Sequence, residues 1–153
     1  MIEGVEIKEL TIHPDDRGML AEVVKATDAF ASPHPFGQIS HTVTYPGVVK
    51  AFHWHRRQTD YWYCVVGNIR AGLVDLRAGS PTEGEKMAVY LGEWGRSVLK
   101  IPAGVAHGYQ VLGHEPAHLI YYTTEPYDPR APDEERTAWD DPTIGFDWTV
   151  RNR

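Results

Sequence analysis

Cysteine is almost missing from this chain. Cys64 is the single one, which excludes an internal disulfide framework and leaves its thiol to be read as a small apolar group in a buried strand. Positive charge is also short, with 15 Lys and Arg against 21 Asp and Glu and a net charge of -6. Nucleic-acid binding wants a basic face, so no nucleic-acid partner is expected, and a phosphate-bearing ligand would need a local cluster of cations. No apolar run is long enough for a membrane span, and residues 3–10 alternate charged and apolar side chains where a signal peptide would need an apolar stretch. The expectation is a cytoplasmic protein with no membrane partner. Repeats, low-complexity tracts, linkers and long amphipathic helices are absent as well. With 153 residues and 42% apolar content, the chain is long enough to bury one core, and a single domain over residues 1–153 is expected.

What the sequence does hold is a series of short strand-like runs. Val5 to Ile12 alternates, and His13 to Gly18 reads as a turn from its Pro, Asp and Gly. Leu20 to Val24 reads as a further strand. Ala26 to Gly37, with His34 between two prolines, reads as a loop with a helical turn. Runs then follow at Ile39–Tyr45, Val48–His55, Tyr61–Val66, Ile69–Arg77, Met87–Leu91, Ser97–Ile101, Tyr109–Leu112 and His118–Thr124. Many short strands separated by Gly, Pro or charged turns indicate an all-β sandwich or barrel, here taken as a jelly roll, the double-stranded β-helix. The tail after Pro129 predicts one short helix near Asp133–Arg136, after which Trp139 to Trp148 returns aromatics to the body. Trp62, Trp94, Trp139 and Trp148 are read as packing residues. His13, His34, His41, His114 and His118 are read as incidental, and Asp140-Asp141-Pro142 as turn chemistry.

One stretch, Gly47 to Gly67, carries chemistry. His53 and His55 are two apart, so on a strand both imidazoles face one way and Trp54 the other. After the polar turn Arg56–Thr59, Asp60 opens the next strand and reaches the same mouth if the two strands pair as a hairpin. His107 follows the Pro102 and Gly104 turn and adds a third imidazole. Three neutral imidazoles and a carboxylate suit Zn, Fe, Mn, Ni or Co. Without a metal, the same residues form a pocket set that hydrogen-bonds a substrate or one another.

The spacing resembles the two motifs of the cupin superfamily. G(x5)HxH(x3-4)E(x6)G is matched at Gly47, His53, His55 and Gly67, with Asp60 at the Glu position. PxGxxH is matched at Pro102, Gly104 and His107. Over roughly residues 12 to 148 the chain also resembles the dTDP-4-dehydrorhamnose 3,5-epimerase family of cupin-fold enzymes. The likeness runs through Asp16-Arg17-Gly18, Gln38, Gly47 to His53, Val74 to Arg77, Ser80 to Gly84, Ile101 to Gly108, Tyr121 to Tyr127, Trp139 to Pro142 and Gly145 to Trp148.

That resemblance implies a nucleotide-activated 4-keto-6-deoxyhexose as substrate, epimerised at C3 or at C3 and C5 by proton abstraction next to the ketone. It implies His53 as base and Tyr121 as acid, Tyr127 and His107 in the pocket, and Arg17 and Gln38 at the nucleotide and its phosphates. Lys50 takes the place of an arginine. A homodimer is implied, and a metal-free mechanism. The chain departs from the pattern where the family has lysine at the Asp60 position and glutamine at His55. It also ends at Arg153, without the family's C-terminal extension and its carboxylate. At Asp60 and at His55 a ligating side chain replaces a non-ligating one. A metal-dependent cupin of other chemistry (isomerase, lyase or oxygenase) and a non-catalytic sugar-binding cupin are the alternatives. His53 cannot be at once a metal ligand and a free base.

Overall fold

A computed structural model describes residues 1–31 and 35–150. His34 therefore lies outside the described residues. From residue 38 onward the chain crosses between two facing five-stranded sheets at almost every step. β4 (Gln38–Thr44), β6 (Asp60–Val66), β9 (Ser97–Ile101) and β11 (Ala117–Thr123) belong to one sheet, together with β1 (Glu6–Glu9), in the order β1-β9-β6-β11-β4. β5 (Val49–Trp54), β7 (Asn68–Asp75), β8 (Lys86–Gly92), β10 (Val105–Leu112) and β12 (Glu135–Arg136) make the other, in the order β12-β5-β10-β7-β8. β2 (Ile12–Asp15) and β3 (Gly18–Ala21) pair as a separate hairpin. All pairings are antiparallel, which is the jelly roll expected from the strand spacing.

Alternation along each strand decides what lies between the sheets. On β6, Trp62 and Cys64 face inward and meet Leu73, Val105, Tyr109, Leu99 and Leu119 in the main core. Tyr61 and Tyr63 face outward, where Val23, Val24 and Phe30 cover them. Cys64 is fully buried, and burial pushes its thiol up to about 12, as its apolar reading requires. On the outer face of the second sheet, Phe52, Val74 and Ala106 are capped by Ile144, Phe146 and Trp148 from the C-terminal tail.

Several expectations are corrected. β5 and β6 do not pair as a hairpin but lie in opposite sheets, because the Arg56–Thr59 turn carries the chain across the sandwich. The Val5–Ile12 run is broken at Leu10, whose amide bonds to Arg96, and His13 and Pro14 are strand rather than turn. Residues 133–136 form no helix; Glu135 and Arg136 pair with Trp54 and His53 as β12. Between Ala26 and Gly37 the described part makes successive turns at Lys25–Asp28 and Asp28–Ala31. Trp94 and Trp139 are 72% and 51% exposed, so of the four tryptophans read as packing only Trp62 and Trp148 are buried. Asp141 does shape a turn, accepting bonds from Thr143.

Asp75, at the end of β7, is a buried carboxylate held by Arg77 at 2.8 Å, Ser80 at 2.7 Å and Thr82 at 2.6 Å. The Arg77 hydrogen bond, joined by the two hydroxyls against the opposing effect of burial, keeps its pKa well below the usual carboxylate value. A depressed folded-state pKa means stability that is present above about pH 4 and lost as pH falls through the folded value. Asp75→Asn is expected to lower unfolding free energy by about 2 kcal/mol at pH 7. In urea titrations the gap from wild type should close steadily below pH 4.

Candidate active site

The site begins with a register. β10 lies antiparallel beside β5 with His107 opposite His53 and Tyr109 opposite Lys50. From His107 to Tyr109 is two residues, whereas from His53 to Lys50 is three, so β5 carries one extra residue there. Strict alternation would send Lys50 and His53 to opposite faces; the bulge turns both inward. His53 and His55 then share a face by simple alternation, with ring centroids 5.4 Å apart, and His53 lies 4.2 Å from His107. Gly104 makes the turn before β10 at φ +79, where a Cβ would also run into the Arg77 side chain.

Asp60 arrives from the other sheet. It is the first residue of β6, opposite Ile101 and Thr123, and its carboxylate points across to the histidines. His107 Nε2 is 3.5 Å from Asp60 Oδ2, and His55 Nε2 is 3.8 Å from Oδ1. One ligand atom from each of His53, His55, Asp60 and His107 lies within 4.8 Å of all the others. Gln58 Nε2 donates to Asp60 Oδ1 at 2.7 Å, and the Trp62 indole donates to Oδ2 at 3.2 Å. Burial, followed by the neighbouring His107, drives the His53 pKa far down, with Asp60 pulling weakly the other way, so His53 is a neutral imidazole. Burial alone would raise Asp60, but the His107 and His55 side chains and the Gln58 amide more than offset it and hold the carboxyl below its usual range.

His53, His55, Gln58, Asp60 and Trp62 line the floor of a cavity of about 810 Å³ between the sheets, with His107 buried behind them. Tyr121, on β11 opposite Ser40 and Trp62, lines it from the first sheet, while Tyr122 turns outward and stacks on Tyr61 at 4.9 Å. Gln38, Lys50 and Tyr127 stand at the rim. Gln38 Oε1 accepts the Tyr127 amide at 3.0 Å, and Lys50 Nζ donates to Thr42 at 3.1 Å. Among the described residues no carboxylate pairs with Lys50. Of the residues expected at a site, Arg17 is the one that the fold does not bring in. It sits on the tip of the β2–β3 hairpin with its side chain 88% exposed, paired to Asp15 at 2.6 Å.

Sequence reading missed Gln58, Trp62 and Asp133. Asp133 accepts the backbone amides of Arg56, Arg57 and Gln58 at 3.0–3.1 Å, fixing the turn between the sheets, and its carbonyl accepts from His55 Nδ1. A partner more than 70 residues away leaves no local signal. Gln58 was legible in principle, as a polar side chain two residues before the carboxylate.

A family model described as dTDP-4-dehydrorhamnose 3,5-epimerase matches residues 1–153. The chain is 50% identical, over the whole of both chains, to the spore coat polysaccharide biosynthesis protein SpsL of Bacillus subtilis strain 168. It resembles the crystal structure of a dTDP sugar isomerase from Desulfovibrio desulfuricans G20, with a TM-score of 0.89 and 30% identity over 99% of this chain and 94% of that one. It also resembles a dTDP-6-deoxy-D-glucose-3,5-epimerase of Legionella pneumophila Philadelphia 1, solved with dTDP-4-keto-L-rhamnose. There the TM-score is 0.87, with 28% identity over 100% of this chain and 82% of the other.

The register that faces His107 to His53 depends on Gly108, where a Cβ would overlap Ala51 and the Lys50 carbonyl. Overpacking against backbone cannot relax by a side-chain rotation. Gly108→Ala is expected to cost about 1–3 kcal/mol of stability in urea unfolding.

Proposed function

Since the chain belongs to the dTDP-4-dehydrorhamnose 3,5-epimerase family, we propose that it epimerises a dTDP-linked 4-keto-6-deoxyhexose by exchanging protons at carbons flanking the ketone. The observation that carries this reading is the two-walled cavity. Tyr121 stands on the first sheet, and His53, His55 and Asp60 line the floor, with His107 grouped behind them. A ketone acidifies the hydrogens on its neighbouring carbons, and inversion needs a proton removed from one face and returned to the other. Tyr121 is the proton carrier on its wall. His53, neutral and with Asp60 beside it, is the acceptor opposite. Lys50, without a carboxylate partner among the described residues, and Gln38 and Tyr127 at the rim receive the nucleotide end, which a chain of net charge -6 can do only through such a local cation. Arg17 joins them only if a second chain brings its hairpin across.

In D2O, the purified protein is expected to wash deuterium into C3 or C5 of dTDP-4-keto-6-deoxyglucose, read by proton NMR. Tyr121→Phe should slow exchange by about 10²- to 10⁴-fold while leaving the fold intact by circular dichroism. A set of dTDP-, UDP- and GDP-linked 4-keto-6-deoxyhexoses all returned without label would overturn the reading.

The working unit in this proposal is a homodimer in the cytoplasm. No helix among the described residues is long and apolar enough to cross a membrane. Edge strand β4 turns Ile39 and Val43 outward at 60% and 46% exposure, and Phe36 stacks on Tyr122 beside them. This apolar strip is the contact with the second copy. Light scattering after size exclusion should give a two-chain mass for wild type and a one-chain mass for Val43→Glu. A wild type of one-chain mass would refute the dimer.

A further inference from the structure

We propose that His53, His55, Asp60 and His107 together bind one divalent first-row transition-metal ion at the edge of the cavity. The orientation of the rings is the first reason. His107 Nδ1 donates to the Val105 carbonyl at 2.8 Å and His55 Nδ1 donates to the Asp133 carbonyl, so in the neutral tautomers both Nε2 lone pairs are aimed at Asp60. Ligating histidines are held in this way by a carbonyl on their far nitrogen.

The second reason is an orphaned atom. His107 is 1% exposed, and its Nε2 has no hydrogen-bond partner; at 3.5 Å from Asp60 Oδ2 it is too far for a good hydrogen bond. Asp60 itself is 2% exposed, and its hydrogen-bond donors, Gln58 and Trp62, are neutral. Among the described residues no lysine or arginine forms an ion pair with it. The Gln58 amide bridges the His55 lone pair and Asp60 Oδ1, but the His107 lone pair meets the buried carboxylate with no donor between them among the described residues, a repulsion that a positive charge there would relieve.

The third reason is size. Donors bound at about 2.1 Å lie at most about 4.2 Å apart, and this set already falls within 4.8 Å. Side-chain shifts of a few tenths of an ångström close it. Imidazole and carboxylate ligands select the zinc, iron, cobalt, nickel and manganese group over calcium and magnesium.

Gln58 occupies the place in the meantime. Its amide nitrogen is 3.1 Å from His55 Nε2 and 2.7 Å from Asp60 Oδ1, two hydrogens directed at two of the four ligand atoms. Loading therefore displaces this amide, and Gln58 tunes affinity without being a ligand. An ion here would take His53 as a ligand, so a loaded chain could not also use it as the proton acceptor of the epimerase reading; what the ion would supply is Lewis-acid polarisation of a bound oxygen.

The test uses the full chain stripped with a chelator and titrated with Co²⁺, read by visible absorption and by elemental analysis, with no substrate present. That keeps its outcome separate from the deuterium-exchange assay. Wild type is expected to saturate at one equivalent per chain, with Zn²⁺ displacing the cobalt. His55→Gln and Asp60→Asn should each weaken binding by about a hundredfold or more while keeping the wild-type circular dichroism spectrum. Gln58→Ala should keep the stoichiometry and bind several-fold more tightly. Less than about a tenth of an equivalent on wild type, or an affinity in both ligand variants equal to that of wild type, would overturn the proposal.

Discussion

The site depends on the pairing of β10 with β5. That ladder sets His107 against His53, and its extra residue on β5 lets Lys50 face the same cavity as the histidines. Antiparallel register is unforgiving, since a slip of one residue would send every inward side chain out. The register is held from both sides: β7 pairs with β10 along its full length, and Phe52, Val74 and Ala106 are pinned under the C-terminal aromatics. The core and the site are thus one construction. The same inward face that presents His107 presents Val105, Tyr109 and Val111 to the main apolar cluster.

A second constraint is electrostatic. Asp60 enters from the opposite sheet and is buried among imidazoles with neutral hydrogen-bond donors. A buried carboxylate is costly without compensation, and here the Gln58 and Trp62 hydrogen bonds and the neighbouring histidines supply it. Asp133 shows how the fold invests in that arrangement. Its carboxylate ties down the turn that carries the chain from β5 to β6, and its carbonyl fixes the His55 ring. One residue from the tail controls both the path of the backbone and the tautomer of a site histidine.

Much of this was readable along the chain. The strand spacing marked an all-β sandwich because period-two alternation and turn residues are local properties. His53 and His55 had to share a face for the same reason, and Tyr121 and Tyr122 had to face apart. What was read wrongly involved pairing between distant segments. A hairpin between β5 and β6 is the simplest guess for strands joined by a short polar turn, yet the two strands lie in different sheets and each pairs with distant segments. Asp133–Arg136 has helix-compatible composition, but its last two residues, Glu135 and Arg136, pair with the free edge of β5 as strand β12. Trp94 and Trp139 read as packing residues from their chemistry alone, yet both are exposed.

By itself, then, the sequence determined the class of fold and the identities and spacing of the three histidines, the carboxylate and the tyrosine, since each follows from residue type and strand periodicity. Tertiary structure decided that these groups meet. It set the bulge that turns Lys50 inward, brought Asp60 across from the facing sheet, aimed the His107 and His55 lone pairs at it, and left Arg17 on an exposed hairpin. Those outcomes depend on which strands share a ladder and, for the His55 ring, on a hydrogen bond to a residue 78 positions away, neither of which is a local property of the chain.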